Sequence, residues 1–227
     1  MKRRQVKPPV PTGDATARYE RLSYGQPTWY DLMPTPANAT DGGTLAWPVF
    51  DGTAYSTIGQ PAKLDFAGAF TVCAWVKQSI VAPQQGFERI ISRDDIGANR
   101  SYLLSQIDNL GAIAGAFWST NPAPPPAEIL HIAQTGNSYL DGEWHFICVV
   151  NEGVGGNLIV YVDGVLAKSE PAGGVPDNDA VDWEFGRPQS GANDWFTGSI
   201  DTGRFYSRAL SPDEILRDYH AGKPAHP

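Results

Sequence analysis

Asp182 and Glu184, two carboxylates flanking Trp183, have a spacing that could do acid–base chemistry. On an extended strand such residues share one face. Cleavage of a glycosidic bond needs two carboxyl groups about 5 to 9.5 Å apart. A solvated edge face accounts for the pair more simply, and hydrolysis stays a minor alternative. Nucleophilic catalysis would draw on His131, His145, His220 or His226. None of these stands in a nucleophile-elbow context, and His220 and His226 fall in a terminal helix and tail. The sequence has no Cys-x-x-Cys or histidine-rich cluster for zinc and no glycine-rich phosphate loop. What remains is recognition by aromatic and amide side chains. Trp195 follows Asn193 and Asp194 in a glycine-containing stretch, and Trp118 stands in FWSTNP beside a proline loop. Stacking and hydrogen bonding on such loops hold sugars, with core or subunit packing as the competing role for both tryptophans. Trp75 and Trp144 belong to the core, because each lies in a β-prone run with apolar neighbours at two-residue spacing.

The elements that would position these residues are strands. FTVCAWVK (70–77) puts Thr71, Cys73 and Trp75 on one face and Phe70, Val72, Ala74 and Val76 on the other. Both faces are apolar, as in the central strand of a sheet covered on two sides. WHFICVVN (144–151) behaves alike. In NLIVYVDGVLAKS (157–169), Asp163 and Gly164 supply the two positive φ angles of a type I′ hairpin turn. The segment 198–222 reads as a strand followed by one short helix, with Ser211 as its cap and Pro212 at its first position. Glu214 closes a capping box, and Gly222 followed by Pro224 ends the helix. NPAPPPAE (121–128) is a stiff loop of polyproline character.

Composition agrees with strands joined by tight turns: aromatic residues make up 11%, and the 227-residue chain holds 24 glycines and 19 prolines. One large β-domain with extensions suits that length. No run of eighteen apolar residues occurs, so no helix is expected to span a membrane. The formal charge is -8, and removing the four positive charges of Lys2, Arg3, Arg4 and Lys7 leaves -12 on the remainder. An acidic body argues against a nucleic-acid groove, which needs clustered cations against phosphates; the four charges of the arm suit phosphate or an acidic protein surface equally. The opening MKRRQVKPPVPTG has the basic start of an export signal. Pro8, Pro9 and Pro11 then fall where its apolar stretch would have to follow, so no export signal is read there. With further prolines at 27, 34 and 36, residues 1–43 read as an irregular basic arm.

The segments FDGTAYSTIG, FTVCAWVK, GEWHFICVVNEG, LIVYVDGVLAKS and FTGSIDTGRFYSRALSPDEI, in that order and spacing, resemble the laminin-G-like and pentraxin group of concanavalin-like domains. The resemblance covers roughly residues 44–222 and leaves 223–227 as a tail. It implies an all-β, two-sheet antiparallel jelly-roll sandwich with one short C-terminal helix behind the irregular arm. It selects no function, since the group includes lectins, calcium-dependent binders, adhesion domains, enzyme modules and virion proteins. Pentraxins carry and join cysteines at the places of Cys73 and Cys148, which implies one bridge; two buried thiols are the alternative. Their calcium site implies oxygen ligands from two loops. Here the first offers Asn99 beside Arg100. The second offers Asn193 and Asp194 but has Arg187 and Pro188 where acidic ligands would stand. Two matching positions are too few for an ion that takes six to eight oxygens, so no cofactor is expected, with calcium as the open alternative. A structural ion between Asp51 and Asp201 is less expected than turn hydrogen bonds of the Asx type. Glycosidases on this scaffold carry Glu-x-Asp-x-Glu or a near variant on one strand, and no such string occurs.

The expected protein is therefore non-enzymatic, with Asn99, Trp118, Asn193, Asp194 and Trp195 as ligand candidates for host glycans. An adhesion-type sandwich without an export signal is expected on a bacteriophage virion, in capsid or tail. There Lys2, Arg3, Arg4 and Lys7 would dock the arm to other virion proteins, as part of a homo-oligomer or larger assembly. A purely architectural subunit is the alternative. No nucleic-acid contact through the body and no membrane partner are expected.

Overall fold

The computed structural model describes residues 18–21, 29–32, 49–80, 87–95, 100–107, 111–121, 127–189 and 194–226. Among these described residues, fourteen strands form in chain order. The first seven are β1 (Arg18–Arg21), β2 (Trp29–Leu32), β3 (Val49–Asp51), β4 (Ser56–Gly59), β5 (Phe70–Gln78), β6 (Phe87–Asp94) and β7 (Arg100–Ile107). After them come β8 (Ala112–Asn121), β9 (Ala127–Gln134), β10 (Trp144–Asn151), β11 (Leu158–Val162), β12 (Val165–Glu170), β13 (Trp183–Phe185) and β14 (Thr197–Tyr206). One α-helix, α1 (Pro212–Gly222), ends the series, followed by a short 3-10 turn.

The strands pair into two antiparallel sheets, the sandwich that the sequence implies. The larger runs β1-β2-β14-β5-β10-β11-β12, with β3 on the flank of β14, and the smaller runs β4-β13-β6-β7-β8-β9. β5 sits at the middle of the larger sheet because both its faces are apolar. Phe70, Val72, Ala74 and Val76 turn inward to the main core with Phe66, Phe117, Trp183, Phe185 and Phe205. Cys73 and Trp75 turn outward, to a second cluster closed by Phe146, Tyr206, Leu210 and Ile215 of α1. Cys73 stands directly opposite Cys148 in the β5–β10 register, and the two are joined as a disulfide beneath the helix.

Local chemistry shapes the ends of these elements. The β11–β12 hairpin turns at Asp163 and Gly164 with φ of 54° and 77°, both positive as a type I′ turn requires. Ser211 accepts from Glu214 N while the Glu214 side chain accepts from Ser211 N, which completes the capping box. Gly222 does not end α1 through a left-handed residue, since its φ is -88° and the chain continues into the 3-10 turn Lys223–Ala225. A side chain there would run into the Trp75 indole. Beyond it, His226 stacks on Trp75 with centroids 4.2 Å apart. Its Nε2 lies 2.9 Å from Asp201 Oδ2. Asp51 is held by its own turn, accepting from Thr53 N and Ala54 N at 2.9 Å. Both aspartates have protein partners, in line with the turn and strand-end role.

Within the arm, β1 and β2 pair with each other, and β2 continues onto Gly203–Phe205 of β14. RYER and WYDL fall where the prolines at 11, 27 and 34 leave the chain uninterrupted, and Tyr19, Trp29 and Tyr30 are strand-favouring types. Lys2, Arg3, Arg4 and Lys7 lie outside the described residues, as does the proline run 122–126.

Candidate functional site

The segment 194–196, leading into β14, hangs on β6 beyond the end of β13. Gly186, at φ 81°, turns the chain out of β13, and its N–H donates to Ile90 O at 3.1 Å. Phe196 N then donates to Gly186 O, and Arg89 N to Asp194 O, both at 2.9 Å. Asp194 itself takes a left-handed φ of 67°, which a short polar residue tolerates. The result fixes Trp195 alongside Arg89 in a parallel bridge.

Arg187 and Tyr55 complete the surface around Trp195. The Arg187 guanidinium carbon lies 3.1 Å from the Tyr55 ring centroid and 5.5 Å from that of Trp195. Tyr55 and Trp195 meet edge to face at 6.1 Å. Glu184 fixes the guanidinium from below, accepting from Nε at 2.9 Å and from Nη2 at 3.5 Å. Tyr55, Arg187 and Trp195 are all half-buried, each keeping part of its surface in solvent. Stacked guanidinium and aromatic planes attract one another, so the arrangement is a pre-set platform whose polar edge is Asp194.

Behind the platform runs a chain of ion pairs. Arg89 Nη2 lies 3.0 Å from Asp94 Oδ2 and 3.4 Å from Asp194 Oδ2. Arg100 Nε lies 3.6 Å from Asp94 Oδ1, and its guanidinium sits 5.5 Å from the Trp118 ring centroid. The sequence candidates Trp118, Asp194 and Trp195 are thus linked through Arg100, Asp94 and Arg89. Asn99 and Asn193 lie outside the described residues. Trp118 is corrected as an exposed platform: it is 6% exposed and packs with Ala116 and Ile132 in a small apolar cluster. Its place on a paired strand, β8, outweighs its nearness to the proline loop.

The carboxylate pair is also corrected. β13 lies between β4 and β6, so it is no edge strand. Glu184 is 2% exposed; burial pushes its carboxyl up from the ordinary range, against the pull of Arg187. Asp182 instead accepts from Gln60 Nε2 at 2.9 Å. The histidines are tied into the structure as well. His145 lies 2.8 Å from Asp163 Oδ2 and 3.1 Å from Asp141 Oδ1. His131 Nε2 lies 2.8 Å from Ser119 Oγ. Its Nδ1 meets the Ala172 carbonyl, not a carboxylate, at 2.9 Å.

Sequence reasoning missed Tyr55 and treated Arg187 only as an obstacle to calcium. Tyr55 follows the Asp51 turn and Arg187 follows β13, and only the folding of β4 against β13 brings them together.

Residues 50–216 match the laminin-G-type family model described as the concanavalin A-like lectin/glucanases superfamily. No curated protein matches the chain. Among solved structures, the binding domain of Paraclostridial Mosquitocidal Protein 1 is similar at 12% identity and TM-score 0.55, covering 91% of this chain and 52% of that one. The botulinum neurotoxin serotype G binding domain is similar at 17% identity and TM-score 0.54, covering 92% of this chain and 46% of that one. The receptor binding domain of botulinum neurotoxin mosaic serotype C/D is similar at 15% identity and TM-score 0.53, covering 78% and 43%. The chain thus spans about half the length of these structures, and the likeness shows the fold.

Proposed function

We infer that this chain, which belongs to the concanavalin A-like lectin/glucanases superfamily, is a non-enzymatic recognition module that binds glycans through the surface of Tyr55, Arg187, Asp194 and Trp195. The observation that carries this reading is the half-buried aromatic pair held in place by the stacked Arg187 guanidinium. A sugar presents an apolar C–H face to an aromatic ring and hydroxyl donors to a carboxylate, and this surface offers both counterparts. The names of the similar structures, binding domains and a receptor binding domain, support recognition as the role of the scaffold. Burial of Glu184 under Arg187 supports binding over hydrolysis, because a general acid or nucleophile must reach the scissile bond.

A glycan array tests the reading. Trp195→Ala is expected to abolish binding while leaving the unfolding temperature close to that of the parent, because the ring is half-exposed and outside the core clusters. A blank array for the parent protein would remove the reading.

A second proposal concerns attachment. Lys2, Arg3, Arg4 and Lys7 concentrate positive charge in the first seven residues of an otherwise acidic chain. That segregation favours docking of the arm to an acidic protein surface, and assembly on a virus particle would use it. Finding the protein in purified particles tests this; an architectural subunit would be found there too but would leave the array blank.

A further inference from the structure

We propose that the ligand of this site is an uncharged saccharide, laid against the solvent-exposed surface of the Tyr55–Trp195 pair and held by the Asp194 carboxylate; the proposal rests on the glycan-binding reading. It follows from how the charges of the site are already matched. The Arg187 guanidinium meets Glu184 through two nitrogens. Arg89 is shared between Asp94 and Asp194, and Arg100 faces Asp94. Among the described residues, each of these three guanidiniums thus already faces a carboxylate. A uronate, sialate or sulfate would have to draw a guanidinium away from a carboxylate it already neutralises. An amino sugar would have to do the same to a carboxylate. Bringing a charged ligand against a matched patch strips its hydration without supplying a counter-charge, which costs free energy.

Two further observations point the same way. The formal charge of -8 spread over the chain gives a field that repels anions approaching from a distance. Asp194 also keeps part of its side chain in solvent, at 17% exposure, while pairing with Arg89 on its buried side. An ionised carboxylate is an acceptor only. Sugar hydroxyls, which donate, are its natural partners, and neighbouring hydroxyls on one ring can share its two oxygens. Arg187 then acts as a flat backing that fixes the Tyr55 ring against the edge-to-face Trp195.

The test is an array pairing neutral oligosaccharides with their sialylated, sulfated, uronate-containing and amino-sugar counterparts, read at low and high salt. Binding is expected on neutral members alone, with a dissociation constant that moves less than about twofold as salt screens exposed charges. Glu184→Gln should release Arg187 and bring in uronate or sialate glycans with a gain of about tenfold or more, the worth of one charge-assisted bond. If that variant fails to fold, Asp194→Asn tests the proposal from the other side: it removes the acceptor-only carboxylate and should weaken binding of the neutral glycans about tenfold or more, and unchanged binding would overturn the proposal. Parent binding restricted to charged glycans and falling with salt would overturn the neutral class and leave glycan binding standing. A blank array from a protein with native near-ultraviolet dichroism would overturn both.

Discussion

Glu88 is a carboxyl placed where a charge is expensive. It is 2% exposed, and its partners are neutral: Gln78 Nε2 donates at 3.0 Å and Thr197 N at 3.3 Å. Burial pushes the group up to about 7, and the nearby Asp194 charge adds to the rise while the two hydrogen bonds oppose it. The folded state therefore holds the proton more tightly than the unfolded chain, whose value is 4.5. The contribution to stability is full below 4.5 and is lost as pH rises through about 7. Its size is on the order of 3 kcal/mol, since each tenfold change in proton affinity is worth about 1.4 kcal/mol. Glu88→Gln keeps the acceptor oxygen and removes the titration. Urea unfolding at a series of pH values should therefore show a falling stability between pH 4.5 and about 7 in the parent and a flatter profile in the variant. Equal slopes would mean that Glu88 titrates normally. At this scale the sequence exposed Asp194 and Trp195, because Asn-Asp-Trp after glycine marks a loop with a large ring on it. It did not expose Tyr55 or Arg187, whose pairing exists only after β4 and β13 fold together.

The helix α1 shows how far local signals reach at the scale of an element. Its start was legible to the residue, since Ser211, Pro212 and Glu214 form the capping box through contacts that depend on nearest neighbours alone. Its end was legible in place but not in cause. Gly222 with Pro224 reads as the helix end, yet Gly222 keeps a helical φ of -88°, and what demands glycine is the indole of Trp75 on the sheet beneath the helix. That demand is tertiary, so no window of the sequence around 222 contains it. Gly222→Ala separates the two causes. A left-handed stop would lose roughly 1 kcal/mol on gaining a side chain. The observed contact predicts overpacking, at about 1 to 3 kcal/mol, together with a change in tryptophan emission as Trp75 and the stacked His226 are displaced. A variant with native emission and unchanged stability would show that the helix end can move aside.

Across the whole molecule, the sandwich was legible because the larger sheet repeats its signal: two-sided apolar runs in β5 and β10, a glycine hairpin between β11 and β12, and a capped helix over the outer face. The arm was not, because its proline count argues against strands while two stretches between the prolines still pair. β2 lies on Gly203–Phe205 of β14, so removing residues 1–43 would unpair part of a strand next to the centre of the larger sheet. An exposed strand edge is a site for self-association. Deletion would then weaken docking and the fold together, and could not tell one from the other. Replacing Lys2, Arg3, Arg4 and Lys7 by alanine avoids this, because it removes the charge and leaves β1 and β2 intact. If the arm docks by charge, the fourfold variant should lose its salt-sensitive attachment to an acidic partner surface and keep the unfolding temperature of the parent. The deletion should lower that temperature and raise the apparent mass in solution. Attachment that survives the charge replacement at low salt would assign the arm to the sheet alone.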